Sequence, residues 1–186
     1  SLGGVANRTR EAILVTESAG FDVILVETVG VGQSEYEVHS MTDLFLVLIQ
    51  PGGGDEIQGI KKGILEVANF IVINKADGDA ERLANQSVVH YKNAMGYLNH
   101  QGFWRPEVLS VSSLEQRGIE ALWDRIGAYC EAGTEAIPER RTGQASQWFE
   151  RLLSEGIANH LDENAAWVDF YKAQKERLTL EQISPT

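Results

Sequence analysis

The sequence has one cysteine, no long apolar run and fewer basic than acidic residues. The single cysteine, Cys130, excludes an internal disulfide framework, and we expect it to be a packed helix residue rather than a nucleophile. The longest strictly apolar run, 44–49, is far too short to cross a bilayer, and the amino end lacks the basic start and apolar core of a signal peptide. With 16 basic and 27 acidic residues, the net charge of −11 argues against broad contact with nucleic acid or anionic lipid. These features favour a soluble protein in the cytoplasm, without membrane insertion.

The 186 residues suffice for one domain with a real core and an appendage. Short apolar runs that suit strands buried on both faces lie at 23–26, 44–49, 70–73 and 108–111. Helical patterns lie at 5–19, 55–68, 79–101 and 118–131. This alternation predicts βαβ units and a three-layer α/β/α fold around a parallel sheet.

The chain changes character at 133–142, which contains Pro138 and three consecutive charged residues. Beyond it we predict helices only, so residues 1–135 and 136–186 form two parts. Large apolar side chains keep a helical period in the second part, among them Trp148, Phe149, Leu152, Trp167 and Phe170. They either pack against the sheet domain or dock onto a second subunit, because such large apolar surfaces seldom stay exposed.

Each predicted strand ends in a loop with unusual chemistry. The four loops are Glu27-Thr28-Val29-Gly30, Pro51-Gly52-Gly53-Gly54-Asp55-Glu56, Asn74-Lys75-Ala76-Asp77 and Ser112-Ser113-Leu114. In an open parallel sheet, ligands bind outside the carboxyl ends of the strands. The convergence of the four loops therefore predicts a ligand site at that edge.

The most specific of these loops is Asn-Lys-x-Asp at 74–77. Average residue usage gives this pattern in a chain of this length roughly two per cent of the time. The Asp77 carboxylate can accept hydrogen bonds from guanine N1–H and the 2-amino group, donors that adenine lacks at that edge. The stem of Lys75 can cover a base or ribose face, and Asn74 can tie neighbouring loops together. The competing interpretation is a solvated turn after a strand.

The other loops are less specific. An acid at a strand end followed by glycines, as at Glu27 and Gly30, suits a metal-bound phosphate, or it is an ordinary glycine turn. The serine pair Ser112-Ser113 sits where guanine-binding proteins present an N–H to the guanine O6 atom, or it caps the next helix. The four histidines show no metal-ligand spacing.

Three segments together resemble the MeaB/ArgK family: 27–35, 51–63 and 74–78. These are methylmalonyl-CoA mutase-associated P-loop GTPases, also described as lysine/arginine/ornithine transport ATPases. The opening Leu2-Gly3-Gly4-Val5-Ala6 and the tail Arg140-Arg141-x-x-Gln144 resemble the family as well. The resemblance thus covers nearly the whole chain.

The resemblance implies a G domain of the P-loop NTPase type that binds GTP or GDP with Mg²⁺. It further implies a GTPase chaperone that gates delivery of adenosylcobalamin to an acyl-CoA mutase of the methylmalonyl-CoA mutase type and protects that mutase. The tail at 136–186 would be a dimerisation arm, which makes a homodimer the expected assembly.

By the same resemblance, Glu27 would lie near Mg²⁺ and the attacking water, and Gly30 would contact the γ-phosphate. Asn74, Lys75 and Asp77 would bind guanine, with Ser112, Ser113 and Leu114 in the O6-binding loop. The switch and partner-coupling residues would be Val31, Gly32, Gln33, Ser34, Glu35, Asp55, Glu56, Gln58, Lys61 and Lys62.

One departure from the family is large. The phosphate loop Gly-x-x-x-x-Gly-Lys-Ser/Thr is absent from this sequence, as is a strand before it. Its amides, lysine and hydroxyl would hold the phosphates and Mg²⁺. We therefore interpret the chain as the carboxyl-terminal part of such a GTPase, with a G domain incomplete at its amino end.

The absent strand would lie between the strands at 23–26 and 44–49. Two apolar strands with unpaired edges either pair directly, exchange a strand with another chain or become buried in an oligomer. We expect direct pairing of these two strands together with self-association.

Two other functions compete with the GTPase chaperone. A transport-associated ATPase or kinase is disfavoured by Asp77, for which an adenine site has no use. A partner-binding module without nucleotide chemistry is consistent with the absent phosphate loop. The sequence also lacks Asp-x-His-x-x-Gly, the pattern that offers a histidine to cobalt in one class of cobalamin domains.

Overall fold

The computed structural model describes residues 2–28, 35–52, 62–97 and 102–179. Its three strands are β1 (Leu46–Ile49), β2 (Phe70–Ile73) and β3 (Glu107–Ser110), and they form a parallel sheet in the order β1-β2-β3. The helices are α1 (Leu2–Ser18), α2 (Glu35–His39), α3 (Lys62–Val67), α4 (Glu81–Gly96), α5 (Ile119–Ala132), α6 (Ala136–Asp162) and α7 (Ala165–Thr179), with a 3₁₀ turn at Gly78–Ala80. Over the described ranges, no helix is long and apolar enough to cross a membrane.

The central strand β2 is buried on both faces. Its four side chains are fully inaccessible to solvent. Ile71 and Ile73 belong to a core with the buried side chains of α4, whereas Phe70 and Val72 pack with Tyr129 of α5. Two helices thus cover opposite faces of one parallel sheet, and the predicted α/β class is confirmed.

The strand register brings the carboxyl ends of the three strands level. Ile49 of β1 pairs with Ile73 of β2, and Ile73 pairs with Ser110 of β3. Just beyond the ladder, the Asn74 N–H donates to the Ile49 carbonyl at 2.8 Å, and the Val111 N–H donates to the Ile73 carbonyl at 2.8 Å. The loops that follow β1, β2 and β3 therefore leave from one edge of the sheet.

Most predicted elements are present with shifted ends. The strand at 70–73 is confirmed as predicted, whereas the strand at 44–49 begins at Leu46 and the strand at 108–111 runs from Glu107 to Ser110. The helix predicted at 79–101 begins as a 3₁₀ turn and α4 ends at Gly96; residues 98–101 lie outside the described residues. Of the helix predicted at 55–68, the described part is α3.

Helix α6 begins inside the segment where the sequence changes character. Pro138 lies in its first turn, where a residue without an N–H breaks no intrahelical hydrogen bond. The chain divides into two compact units, Ser1–Arg141 and Thr142–Thr186, so the division falls within α6. The predicted division after residue 135 and the dimerisation role of the tail stay predictions.

The prediction of a strand at 23–26 is wrong. This segment belongs to no strand, and Val23 and Leu25 are 51% and 88% exposed. The expected direct pairing with β1 is also wrong, because β1 pairs with β2 alone among the described residues. The physical reason is a missing neighbour: the strand expected between these two segments is not in the sequence, and an unpaired strand is not stable alone. Self-association stays a prediction.

The amino-terminal end of the sheet is held by Tyr129 and Asp43. The Tyr129 hydroxyl donates to the Asp43 carbonyl at 2.7 Å, and burial raises the pKa of this phenol. The guanidinium of Arg141 donates through Nε to Asp43 Oδ1 at 2.7 Å and through Nη1 to Glu17 at 3.0 Å. These bonds connect α1, the approach to β1, α5 and the start of α6.

In the second unit, α7 has a well-formed start. The Asn164 side chain accepts a hydrogen bond from the Trp167 N–H at 3.2 Å, which is the usual role of a helix cap. Phe149, Ile157 and Phe170 are each more than half exposed. Both helices of this unit therefore present large apolar side chains to solvent.

A substitution at Gly118, at the start of α5, tests the backbone conformation that positions the loop after β3. Its φ is +77°, and an added Cβ would lie 2.8 Å from the Ser110 carbonyl oxygen. We expect Gly118→Ala to lower the free energy of unfolding by about 1–3 kcal/mol in urea titrations. Gly127→Ala is the matched control, since Gly127 lies inside the same helix with nothing within 4 Å; it should stabilise by about 0.5–1 kcal/mol. Equal effects would show that the backbone at Gly118 relaxes freely.

Candidate functional site

The loops that follow β2 and β3 meet through the side chains of Asp77 and Ser112. The Ser112 hydroxyl donates to Asp77 Oδ2 at 2.5 Å, and Ser112 is fully buried. The same hydroxyl oxygen accepts the Glu115 N–H at 3.0 Å. One buried hydroxyl thus fixes the Asp77 carboxylate on one side and the turn after β3 on the other.

Asn74 makes a second connection between the two loops. Its Oδ1 atom accepts the Lys75 N–H at 2.7 Å, the Ser113 N–H at 3.2 Å and the Ser113 hydroxyl at 3.0 Å. An amide oxygen has two lone pairs, so three donors occupy its accepting capacity fully. Asn74 is therefore part of the scaffold that holds the loops, with its oxygen turned toward the protein.

Lys75 adopts a left-handed backbone conformation, with φ of +58°. A residue with a side chain in this region costs about 1–2 kcal/mol, so the surrounding contacts must hold it there. The hydrogen bond from its N–H to Asn74 is one such contact, and the bond from the buried Ala76 N–H to the Val111 carbonyl at 3.0 Å is another. The side chain of Lys75 is exposed and extends from this fixed backbone.

The Asp77 carboxylate keeps accepting capacity toward solvent. Asp77 is partly exposed, and Ser112 occupies one acceptor position on Oδ2. An ionised carboxylate offers about four such positions. Two neighbouring N–H donors on a planar ligand can therefore bond to Asp77 while the bond to Ser112 stays in place.

The turn that begins at Ser112, whose hydroxyl bonds to this carboxylate, also carries backbone amides. The Ser113 N–H is already bonded to Asn74, whereas no acceptor is recorded for the Leu114 N–H among the described residues. Leu114 itself is 84% exposed, so its backbone is accessible from solvent. The turn after β3 thus offers an amide donor, and the loop bonded to it through Ser112 offers a carboxylate acceptor. Such a pair suits a ligand with a carbonyl next to N–H groups.

The loop after β1 is described only at its start. Gly52 has φ of +84°, and a Cβ added there would lie 3.3 Å from Leu83 Cδ1 of α4. Asp55, Glu56, Gln58 and Lys61 lie outside the described residues, and Lys62 opens α3 with its side chain not described. The predicted coupling role of these five residues stays a prediction.

The phosphate-side residues are also described only in part. Glu27 is exposed, and no side chain or amide of the described residues donates a hydrogen bond to it. Gly30, Val31, Gly32, Gln33 and Ser34 lie outside the described residues, and Glu35 opens α2 with its side chain not described. No group of three His, Cys, Asp or Glu side chains within the described ranges could hold a metal ion.

Sequence reasoning did not identify Arg117. Its guanidinium donates to the Ala76 carbonyl at 2.5 Å and to Glu81 at 2.9 Å. These partners lie 41 and 36 residues away in the chain, so no local motif relates them. The structure places the guanidinium of Arg117 against the loop 74–77. The polar residues of that loop itself had been indicated by the sequence.

Asn74 offers a direct test of the connection between the loops. We expect Asn74→Ala to lower the free energy of unfolding by about 1–2 kcal/mol, because the donors of Lys75 and Ser113 lose their shared acceptor. Asn74→Asp is the matched control, since it keeps an oxygen at the same place and should cost clearly less. Urea denaturation followed by tryptophan fluorescence measures both variants. An alanine variant as stable as the aspartate variant would contradict a connecting role.

Comparison with known proteins supports the predicted family and fold. Residues 1–166 match the family model described as "Methylmalonyl Co-A mutase-associated GTPase MeaB". A solved structure described as "Crystal structure of LAO/AO transport system kinase" superposes with a TM-score of 0.79 at 38% sequence identity, over 98% of this chain and 59% of that chain. The predicted likeness to a P-loop fold of this kind is thereby confirmed.

Curated relatives agree. A putative GTPase of Caulobacter vibrioides is 50% identical over 84% of this chain and 49% of its own length, and the GTPase ArgK of Escherichia coli is 41% identical over 99% and 56%. The mouse mitochondrial methylmalonic aciduria type A homolog is 42% identical over 86% of this chain and 39% of its own length. The chain thus spans about half the length of the curated relatives it matches. With a family model that covers most of its residues, this chain belongs to the MeaB family of GTPases.

Proposed function

We propose that this chain supplies the guanine-recognising part of a GTP-binding and GTP-hydrolysing chaperone for an acyl-CoA mutase. The observation that carries the proposal is the bond between Ser112 and Asp77, which unites the loops after β2 and β3 into one polar surface. Asp77 accepts from the N1–H and 2-amino groups of guanine, and the amide of Ser113 or Leu114 donates to O6. Lys75 covers one face of the base with its aliphatic stem.

The chemistry of Asp77 gives this surface its selectivity. Adenine has no N–H pair at the corresponding edge, so its binding would leave a partly buried carboxylate with the Ser112 hydroxyl as its donor and no donor from the base. Sites that recognise a ligand by hydrogen bonds reject an analogue that lacks them by roughly 10⁴-fold. Guanine is therefore the base that this arrangement fits.

Hydrolysis needs residues at the phosphate end. Glu27 would orient the attacking water there, and Gly30 would donate its amide to the γ-phosphate. Mg²⁺, when bound, would neutralise phosphate charge, and an exposed single carboxylate such as Glu27 fits an ion that phosphates and water mainly hold. A phosphate loop, absent from this sequence, would complete the site.

The chaperone role rests on the family. The family model is described as mutase-associated, and the mouse relative is named for methylmalonic aciduria. We infer that the mutase partner is of the methylmalonyl-CoA mutase type, that GTP gates the delivery of adenosylcobalamin to it, and that residues 31–35 and 55–62 couple the nucleotide to the partner. The exposed apolar side chains of α6 and α7 favour a homodimer, for which we propose a cytoplasmic site of action.

A second candidate is a transport-associated ATPase or kinase, which the name of the similar solved structure suggests. The two functions differ in the base they require. A nucleotide competition assay separates them, because the ATPase or kinase needs ATP to bind at least as tightly as GTP. A module that binds a partner without using a nucleotide would bind neither ATP nor GTP in this assay.

The first test is Asp77→Asn in a protein that carries a phosphate loop ahead of this chain. We expect GTP affinity to fall by about 100-fold, because the guanine 2-amino group would then face an amide N–H₂ and N1–H would keep only a neutral acceptor. Preference should shift toward xanthosine triphosphate, whose 2-oxo group accepts from the new amide. Asp79→Asn, two residues further on and exposed, is the matched control and should change neither affinity. Equal binding of ATP and GTP by the unaltered protein would exclude the guanine site.

The second test uses this chain alone. We expect calorimetry with GTP and Mg²⁺ to show much weaker binding than in a protein with the phosphate loop, and phosphate release assays to show no turnover. The triphosphate charge lacks the amides and lysine that would compensate it. Micromolar binding with turnover would mean that other residues of this chain hold the phosphates.

A further inference from the structure

We propose that Arg117 is a positioning residue that fixes the two base-recognition loops in their working geometry. The proposal deepens the guanine-binding function proposed above and rests on it. Arg117 lies in the turn after β3, but its guanidinium reaches the loop after β2 and the start of α4.

The guanidinium of Arg117 bridges three places. Its Nη2 atom donates to the Ala76 carbonyl at 2.5 Å and lies 3.5 Å from the Glu115 carboxylate, and its Nη1 atom donates to Glu81 at 2.9 Å. The Ala76 carbonyl belongs to the residue between Lys75 and Asp77. Arg117 therefore holds the backbone directly beside the carboxylate that recognises the base.

The backbone of Arg117 is held as firmly as its side chain. Its N–H donates to the Ser112 carbonyl at 3.0 Å, and its carbonyl accepts the Ser112 N–H at 2.9 Å. Ser112 in turn donates its hydroxyl to Asp77. A closed circuit results: Arg117 to Ser112 through the backbone, Ser112 to Asp77 through the hydroxyl, and Ala76 back to Arg117 through the guanidinium.

The left-handed backbone on both loops explains why such a circuit is needed. Lys75 has φ of +58° and Gln116 has φ of +54°, and neither is glycine. Each residue flanks one end of the Ala76–Arg117 bond. Strained conformations persist only where surrounding contacts hold them, and Arg117 supplies a contact to both loops at once.

The planar guanidinium is suited to this bridge because it presents several N–H donors in a fixed fork. Lysine offers a single ammonium on a flexible stem and cannot reach the Ala76 carbonyl and Glu81 in the same geometry. The side chains of Arg117 and Glu81 are each about half exposed, so their charge attraction alone contributes little. The geometric role then exceeds the electrostatic one.

Arg125 provides a matched control. It is also about half exposed and donates through Nε to Glu107 at 2.9 Å, and it lies over the Trp104 ring at 5.3 Å. Glu107 opens β3, at the opposite end of the strand from Ser112. Loss of either arginine removes an exposed ion pair, but only Arg117 touches the base-recognition loops.

The experiment uses the 186-residue chain with guanosine and inosine, nucleosides that need no phosphate loop, in saturation-transfer NMR titrations. Inosine lacks the 2-amino group, so the ratio of the two affinities reports the contact with Asp77. We expect Arg117→Ala to raise the guanosine dissociation constant about tenfold, equivalent to about 1.4 kcal/mol, and to bring the ratio close to one. Arg125→Ala should leave both unchanged, and Arg117→Lys should not restore the ratio.

A second measurement is independent of any ligand. Hydrogen exchange of the Ala76 and Ser112 amides should quicken about tenfold in Arg117→Ala relative to the amides of β2, and should not change in Arg125→Ala. Unchanged exchange, or full recovery of the guanosine-to-inosine ratio by Arg117→Lys, would overturn the positioning role. If the unaltered chain binds no guanosine, the proposed function fails, and the exchange data still decide whether Arg117 holds the loops.

Discussion

The parallel pairing of β2 with both neighbours is the constraint on which the rest of the described structure depends. A strand buried on two faces must be apolar throughout, and Phe70–Ile73 is. Because its neighbours run in the same direction and in level register, all polar residues that follow the three strands collect at one edge. The apolar requirement of the core thus determines where the polar chemistry of Asp77 and Ser112 can lie.

Local signals in the sequence predicted those elements whose formation follows from the pattern of their own residues. The all-apolar run at 70–73 and the helices α4 and α5 follow from burial and from helical period. The same signal failed at residues 23–26, where Val23 and Leu25 are largely exposed. An apolar run reports that a segment suits a buried strand. It does not report whether a neighbouring strand exists to bond with it.

The candidate site was likewise predictable only where local motifs indicate it. Asn74, Asp77 and Ser112 belong to short motifs directly after strands, so their types and spacing indicated a site before any geometry was known. Arg117 belongs to no motif, and its partners Ala76 and Glu81 become neighbours only when the sheet brings two loops together. Long-range bonds of this kind depend on topology, which residue spacing does not contain.

The left-handed backbone at Lys75 has a consequence for the thermodynamics of recognition. The strain is already present without a ligand, held by the bond to Asn74 and the anchoring of Ala76. The conformational cost therefore belongs to the folding equilibrium of the protein and not to the association equilibrium. Under the proposed function, a base that binds here would meet a rigid backbone and lose its own motion and hydration, while the entropy of the loop would hardly change. The proposed recognition would then be closer to lock-and-key than to induced fit.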